Sequence, residues 1–202
     1  DISGKVRQCE DSAKTLRGST EDLQGTLADF RTGNSMFDKL HDASAVFRDK
    51  VAAVLQRLAD RGVNVFDQAY KDIPGSNPKR FTTAYDSQCD SELTRIYDDM
   101  LGELPGLIYS LAVDNKGYAP AHNSVFSNAP SGDPVVDTAK CRHKRMFNDP
   151  VGIKLATNQK PSLFQTYVRD TGEILNDLSM PIMVGGRHWG AVRIGFKTDL
   201  VK

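Results

Sequence analysis

The sequence predicts an α+β domain with long N-terminal helices and a five-stranded antiparallel sheet. Three observations carry that expectation. Apolar residues recur at steps of three and four as far as Leu58, the spacing of a helical stripe. Beyond Leu104 the pattern changes to short runs rich in β-branched and aromatic residues, "LIYSLAVD", "YAPAHN", "SLFQTYVRD", "EILNDLSMPIMV" and "HWGAVRIGFK". Those runs are joined by "NKG", "TG" and "GGR", whose glycines suit tight hairpin turns.

Residues 1 to 33 read as a separate helix. Ile2, Val6, Cys9, Ala13, Leu16, Thr20, Leu23, Leu27 and Phe30 alternate by four and three without a skipped step. A seam so close to 3.5 residues per turn, on an otherwise charged segment, predicts a coiled coil and hence a homodimer through the N-terminal helices. "RTGNS" breaks that helix, and Ser35 suits the N-cap of the next. A second helix is expected from Met36 to about Arg61, striped by Phe37, Leu40, Ser44, Phe47, Val51, Val54 and Leu58, and ended at Gly62. The domain boundary therefore falls at residue 34, with a second domain over 34 to 202.

"FDQAYKDIPGSNPKRFTTAYDS" is turn-rich, because Pro74, Gly75 and Pro78 forbid long regular structure. Leu93, Ile96, Met100, Leu101 and Leu104 mark a short amphipathic helix stopped by Pro105 and Gly106. The strand "LIYSLAVD" then turns at "NKG" into "YAPAHN". Residues 124 to 149 read as irregular, with a helical turn or two in "KCRHKRMFND", before the three remaining strands.

Composition excludes several roles. Lys+Arg and Asp+Glu both total 26 in 202 residues, so there is no basic surplus to neutralise a phosphate backbone, and nucleic acid is not an expected partner. No run reaches the ~18 apolar residues of a membrane span, so no insertion of this stretch into a membrane is expected. Cys9, Cys89 and Cys141 are odd in number and widely spaced, which favours free thiols and a cytoplasmic setting. No GxSxG, HExxH, P-loop or dinucleotide fingerprint occurs, and His41, His122, His143 and His188 form no metal-ligating pair. The chain is not expected to be an enzyme or to hold a cofactor.

What remains is a pocket on the sheet. Alternation along "SLFQTYVRD" puts Leu163, Gln165, Tyr167 and Arg169 on one face. Along "HWGAVRIGFK" it puts Val192, Ile194 and Phe196 opposite Trp189, Ala191 and Arg193. A sheet with one dry face and one face of Tyr, Arg and Trp can hold a polar small molecule; a solvated surface gives the same pattern. "CRHKRMF" groups Arg142, His143, Lys144 and Arg145 before Met146 and Phe147, a local cationic cluster suited to an anion, or equally a solvated charge run.

The blocks "DIPGSNPKRFTTAYD", "AVDNKGYAPAHN", "CRHKRMFND", "LFQTYVRD" and "LSMPIMVGGRHWGAVRIGF" together resemble the PAS/Cache-like sensor domain of bacterial methyl-accepting chemotaxis proteins, over about residues 36 to 198. "LRGSTEDLQGTLADFRTG" is similar to the tail of a chemoreceptor signalling coiled coil. The resemblance implies a sensor that binds a small-molecule ligand, an anionic metabolite among the choices, and passes a conformational signal through the N-terminal helices. The expected site of such a sensor is Arg145, Tyr167, Arg169 and Trp189, with His122 and Tyr118 at the mouth, Arg pairing an anionic group and the aromatics covering its apolar part. His122 is then a pocket wall, with core packing as the alternative. Some relatives hold haem through CxxCH. "CRHKR" lacks the second cysteine, which leaves noncovalent haem with His143 or His122 as axial ligand the second reading. A periplasmic sensor of a membrane receptor is the alternative to a cytoplasmic one.

Overall fold

The computed structural model describes residues 35–169, 172–198 and 200. The heptad segment of residues 1 to 33, and with it the expected dimer contact, lies outside these.

Helix α1 (Met36–Asp60) begins where the capping signal places it. Ser35 Oγ accepts the Asp38 N–H at 3.1 Å, and Asp38 Oδ2 accepts the Ser35 N–H at 3.1 Å, a reciprocal box that satisfies two of the helix's orphan donors. The helix ends at Gly62, whose φ of +82° continues the chain in the left-handed region. Its stripe is buried at Leu40, Phe47, Val51, Val54, Leu55 and Leu58, each such side chain contributing about 1.5–3 kcal/mol relative to exposure. Ser44, also on that stripe, returns its hydroxyl proton to the Leu40 carbonyl at 2.6 Å, so its burial leaves no unsatisfied donor.

A two-stranded ribbon, β1 (Lys71–Asp72) with β2 (Phe81–Thr82), closes the turn-rich segment. Helix α2 (Asp90–Glu103) follows and packs Leu93, Ile96, Tyr97 and Met100 against α1 and the first long strand. The rings of Phe47 and Tyr97 meet edge-on at 5.7 Å.

The main sheet has four antiparallel strands: β3 (Leu107–Asp114), β4 (Leu163–Val168), β5 (Ile174–Val184) and β6 (Arg187–Lys197), in the order β3-β6-β5-β4. The α+β architecture expected from the sequence holds. The segment "YAPAHN", expected as a fifth strand, does not join this sheet. Asp114 Oδ1 accepts the N–H groups of Lys116 and Tyr118, turning the chain back through Gly117 at φ +87°. Residues 117–119 then exchange backbone hydrogen bonds with 144–147: Ala119 N–H to the Arg145 carbonyl, Lys144 N–H to Ala119, and Phe147 N–H to Gly117.

Two seven-residue helices flank that crossing segment, α3 (Pro134–Lys140) and α4 (Pro150–Ala156). Both start on an Asp-Pro pair. Asp133 and Asp149 accept N–H groups of the first turn, and the proline sits where no donor is needed. One face of the sheet is dry: Leu178, Met180, Ile182, Val192, Ile194 and Phe196 are all buried, and α1 packs on β5 and β6. The opposite face lies under the crossing segment and α4. Among the described residues, no helix is long and apolar enough to cross a membrane.

Candidate ligand-binding site

Strand alternation dictates what the covered face carries. Tyr109 and Leu111 on β3, Arg193 on β6 and Tyr167 on β4 point to the same side and line a cavity of about 390 Å³. The crossing segment roofs it with Arg142, Arg145, Met146 and Phe147, while His122 and Arg169 close the walls. The volume lies at the small end of the range for small-molecule sites.

The roof is held by absence of side chains. A Cβ on Gly117 or on Gly152 would run into the Phe147 carbonyl, so both glycines let the segment lie close against its neighbours. Gly195 does the same for the floor, where a Cβ would collide with the Tyr109 ring.

Beneath the floor is a buried polar network. Arg193 donates from Nε and Nη2 to one oxygen of Asp177, at 3.0 and 2.6 Å. Tyr109 donates its hydroxyl to the same oxygen at 2.6 Å, and its oxygen lies 2.8 Å from that of Tyr167. Burial pushes the Tyr109 phenol well above its ordinary pKa, and the Asp177 carboxylate pushes it the same way, so the network is built from un-ionised tyrosines.

Arg169 is the least compensated of the cavity's cations. It is 7% exposed, and its Nη1 donates to Glu173 at 3.2 Å. Its Nε and Nη2 are buried without a partner among the described residues. The guanidinium lies over the rings of Phe126 at 5.1 Å and Tyr109 at 5.7 Å. Arg142 and Arg145 each donate from Nη1 to the Thr138 carbonyl and lie over the Phe147 ring at 5.3 and 5.6 Å. His122 is 1% exposed, ringed edge-on by Phe126, Phe147 and Tyr109. Burial, and next the Arg142 charge, hold its pKa well below 6.5, so the imidazole is neutral at pH 7.

Of the six residues expected at the site, His122, Arg145, Tyr167 and Arg169 come together around this cavity. Tyr118 and Trp189 do not line it. Tyr118 is fully buried, donating its hydroxyl to Asp86 at 2.7 Å and packing on Tyr70. Trp189 donates its indole N–H to the Val65 carbonyl at 2.8 Å and packs edge-on against Tyr85. The pairing of β5 with β6 steps from Ile182↔Gly190 to Met183↔His188, so Trp189 is the extra residue of a bulge and counting by twos fails there.

The two histidines considered for haem are also separated. His143 lines a different recess with Asp90, Ser91 and Lys144, and its Nε2 lies 2.8 Å from Arg80 Nη1. His122 Nδ1 accepts the Asn123 N–H at 2.8 Å. On each histidine one ring nitrogen is thus already engaged.

Tyr109 and Asp177 were not expected at the site, and Arg193 was expected on the ligand-holding face of its strand but not among the six. A signal existed: one Asp in the apolar run "ILNDLSM" and one Arg in "AVRIGF" are charges inside buried strands, which occur there as partners.

No family model matches the chain, and no curated protein matches it. Among solved structures it is similar to the sensor domain of the V. cholerae histidine kinase DctB, at 11% identity and a TM-score of 0.43, over 98% of this chain and 58% of that one. It is also similar to the ligand-binding domain of the Pseudomonas fluorescens chemoreceptor CtaA in complex with L-serine, at 16% identity and a TM-score of 0.28, over 79% of this chain and 58% of that one. The chain thus matches less than two thirds of the length of either.

Proposed function

We propose that the chain is a PAS/Cache-like ligand-sensing domain of a bacterial chemoreceptor, binding a small anionic molecule rather than catalysing a reaction. The observation that carries this reading is the cavity itself: a recess of about 390 Å³ whose wall holds Arg169, 7% exposed, with Nε and Nη2 unpartnered among the described residues. Leaving charged donors unsatisfied in a buried site costs stability unless a ligand repays it. Polar surface for orientation and aromatic surface for contact stand on the same cavity, which is the make-up of a small-molecule site.

The output route follows from the layering. Asp177 and Arg193 face the cavity side of β5 and β6, while Leu178 and Ile194, their neighbours in sequence, face α1. A ligand that binds two arrangements of the sheet unequally shifts α1, and through it the N-terminal helices; a ligand with equal affinity for both shifts nothing. The test is calorimetry of the 202-residue chain against monocarboxylates, dicarboxylates, amino acids and inorganic phosphate. Saturable binding that weakens in Arg169→Ala and Arg145→Ala, each by about 1.5–3 kcal/mol for a lost charge-assisted bond, is the expected result. No binding by any member, or binding indifferent to both substitutions, would remove the reading.

A further inference from the structure

We propose that the ligand is a monocarboxylic acid with an apolar, aromatic-sized body and no ammonium group beside the carboxylate; this rests on the sensing reading above. The first argument is the shape of the unpartnered donor set. Nε and Nη2 form the side-on edge of a guanidinium, two parallel N–H donors spaced to meet the two oxygens of a carboxylate. On Arg169 that whole edge is buried and, among the described residues, unpartnered. On Arg193, across the same cavity, the same two nitrogens are engaged by the Asp177 carboxylate. One cavity thus contains an arginine edge that a carboxylate has filled and a second edge that none has.

The second argument is that Arg169 cannot readily turn this edge elsewhere. Its Nη1 is tied to Glu173, and its plane is flanked by Phe126 and Tyr109. Glu173 occupies a different nitrogen from the buried, unpartnered edge, so a carboxylate on that edge need not displace it.

The third argument concerns the rest of the ligand. Leu111, Met146 and Phe147 give the cavity apolar wall, and the neutral His122 is edged by three aromatic rings. An ammonium group would meet a lining in which arginines outnumber carboxylates. Among the described lining residues the one acid is Asp149, whose Oδ1 already accepts the N–H groups of Val151 and Gly152 at the start of α4. Four arginines line the same space. Asp177, the other nearby acid, lies below the lining; Arg193 and Tyr109 clasp its Oδ2, while its buried Oδ1 has no partner among the described residues.

The experiment compares near-isosteres on the unaltered 202-residue protein by calorimetry: 3-phenylpropionate, its neutral amide, phenylalanine and succinate. Phenylalanine differs from the first only by the ammonium, and the amide only by the charge. Binding of 3-phenylpropionate at least about tenfold tighter than each of the other three is expected, the worth of one charge-assisted interaction. Phenylalanine, succinate or the amide binding as well as the acid overturns the proposal. Arg169→Lys keeps the charge and loses the fork, so it should weaken 3-phenylpropionate about tenfold; unchanged affinity overturns the role of the edge. A protein that takes amino acids or dicarboxylates but not 3-phenylpropionate remains a sensor and loses this ligand class. A protein that takes none of the compounds loses both.

Discussion

Arg193 and Asp177 are diagonal neighbours on β6 and β5, and the guanidinium delivers two hydrogen bonds to a single carboxylate oxygen, at 3.0 and 2.6 Å, with both side chains buried. Removing one partner strands the other charge in the interior. Asp177→Ala is therefore expected to cost about 3–5 kcal/mol, read from the midpoint of denaturant unfolding. A loss below about 1 kcal/mol would mean that the pair is solvated and that the cavity floor is not as described.

Gly195 lies opposite Tyr109 in the β3–β6 pairing, and the phenol ring occupies the space a methyl group would need. Gly195→Ala is expected to destabilise by about 1–3 kcal/mol through overpacking, and to weaken ligand binding because the displaced ring is the cavity floor. A variant as stable as the parent would show that the ring has room to move.

Histidine burial sets a pH dependence. His122 is held well below 6.5, and His143 is brought down to about 4, in both cases chiefly by burial. In the unfolded chain both titrate near 6.5. Below that pH the unfolded state takes up protons that the folded state refuses, so stability is fully present above 6.5 and is lost as pH falls from 6.5 toward 4. The thermal midpoint should drop between pH 7 and pH 5, and less steeply in His122→Asn. Identical slopes for parent and variant would show that His122 is not buried and neutral.

Adding hemin to the purified protein is expected to give no bound-haem Soret band, because His143 Nε2 faces Arg80 and His122 is enclosed by the rings of Tyr109, Phe126 and Phe147. A band that shifts on reduction and disappears in His122→Ala would restore the haem reading.

The heptad of residues 1 to 33 is expected to dimerise the chain. Sedimentation of residues 1–202 against 35–202 should show a dimer and a monomer, respectively; equal masses for the two would detach the heptad from assembly.

The strands were legible because each is an apolar or alternating run bounded by turn residues, and β3 covers the eight residues of the buried run "LIYSLAVD", Leu107–Asp114. Helices α3 and α4 were not, since seven residues are too few for a helical stripe to declare itself. Their signal was local: Asp133-Pro134 and Asp149-Pro150, a capping acid followed by a residue that needs no donor. The failure at "YAPAHN" has a different cause. That segment does form backbone pairs, but with residues 144–147, and a sequence reveals that a segment is extended without revealing its partner. For the same reason Arg169, Tyr167 and Arg145 could be named from pattern, whereas Asp177 needed Arg193 beside it in space.

The carbonyl of Phe147 is pressed from two sides by Gly117 and Gly152. The path of the backbone over the cavity is thereby decided at positions that never touch what lies inside it, while Arg142, Arg145 and Met146 project from that path into the recess. Inheritance can act on the two sets separately. Related domains would keep the glycines and exchange the projecting side chains, acquiring new chemical appetites on an unchanged frame.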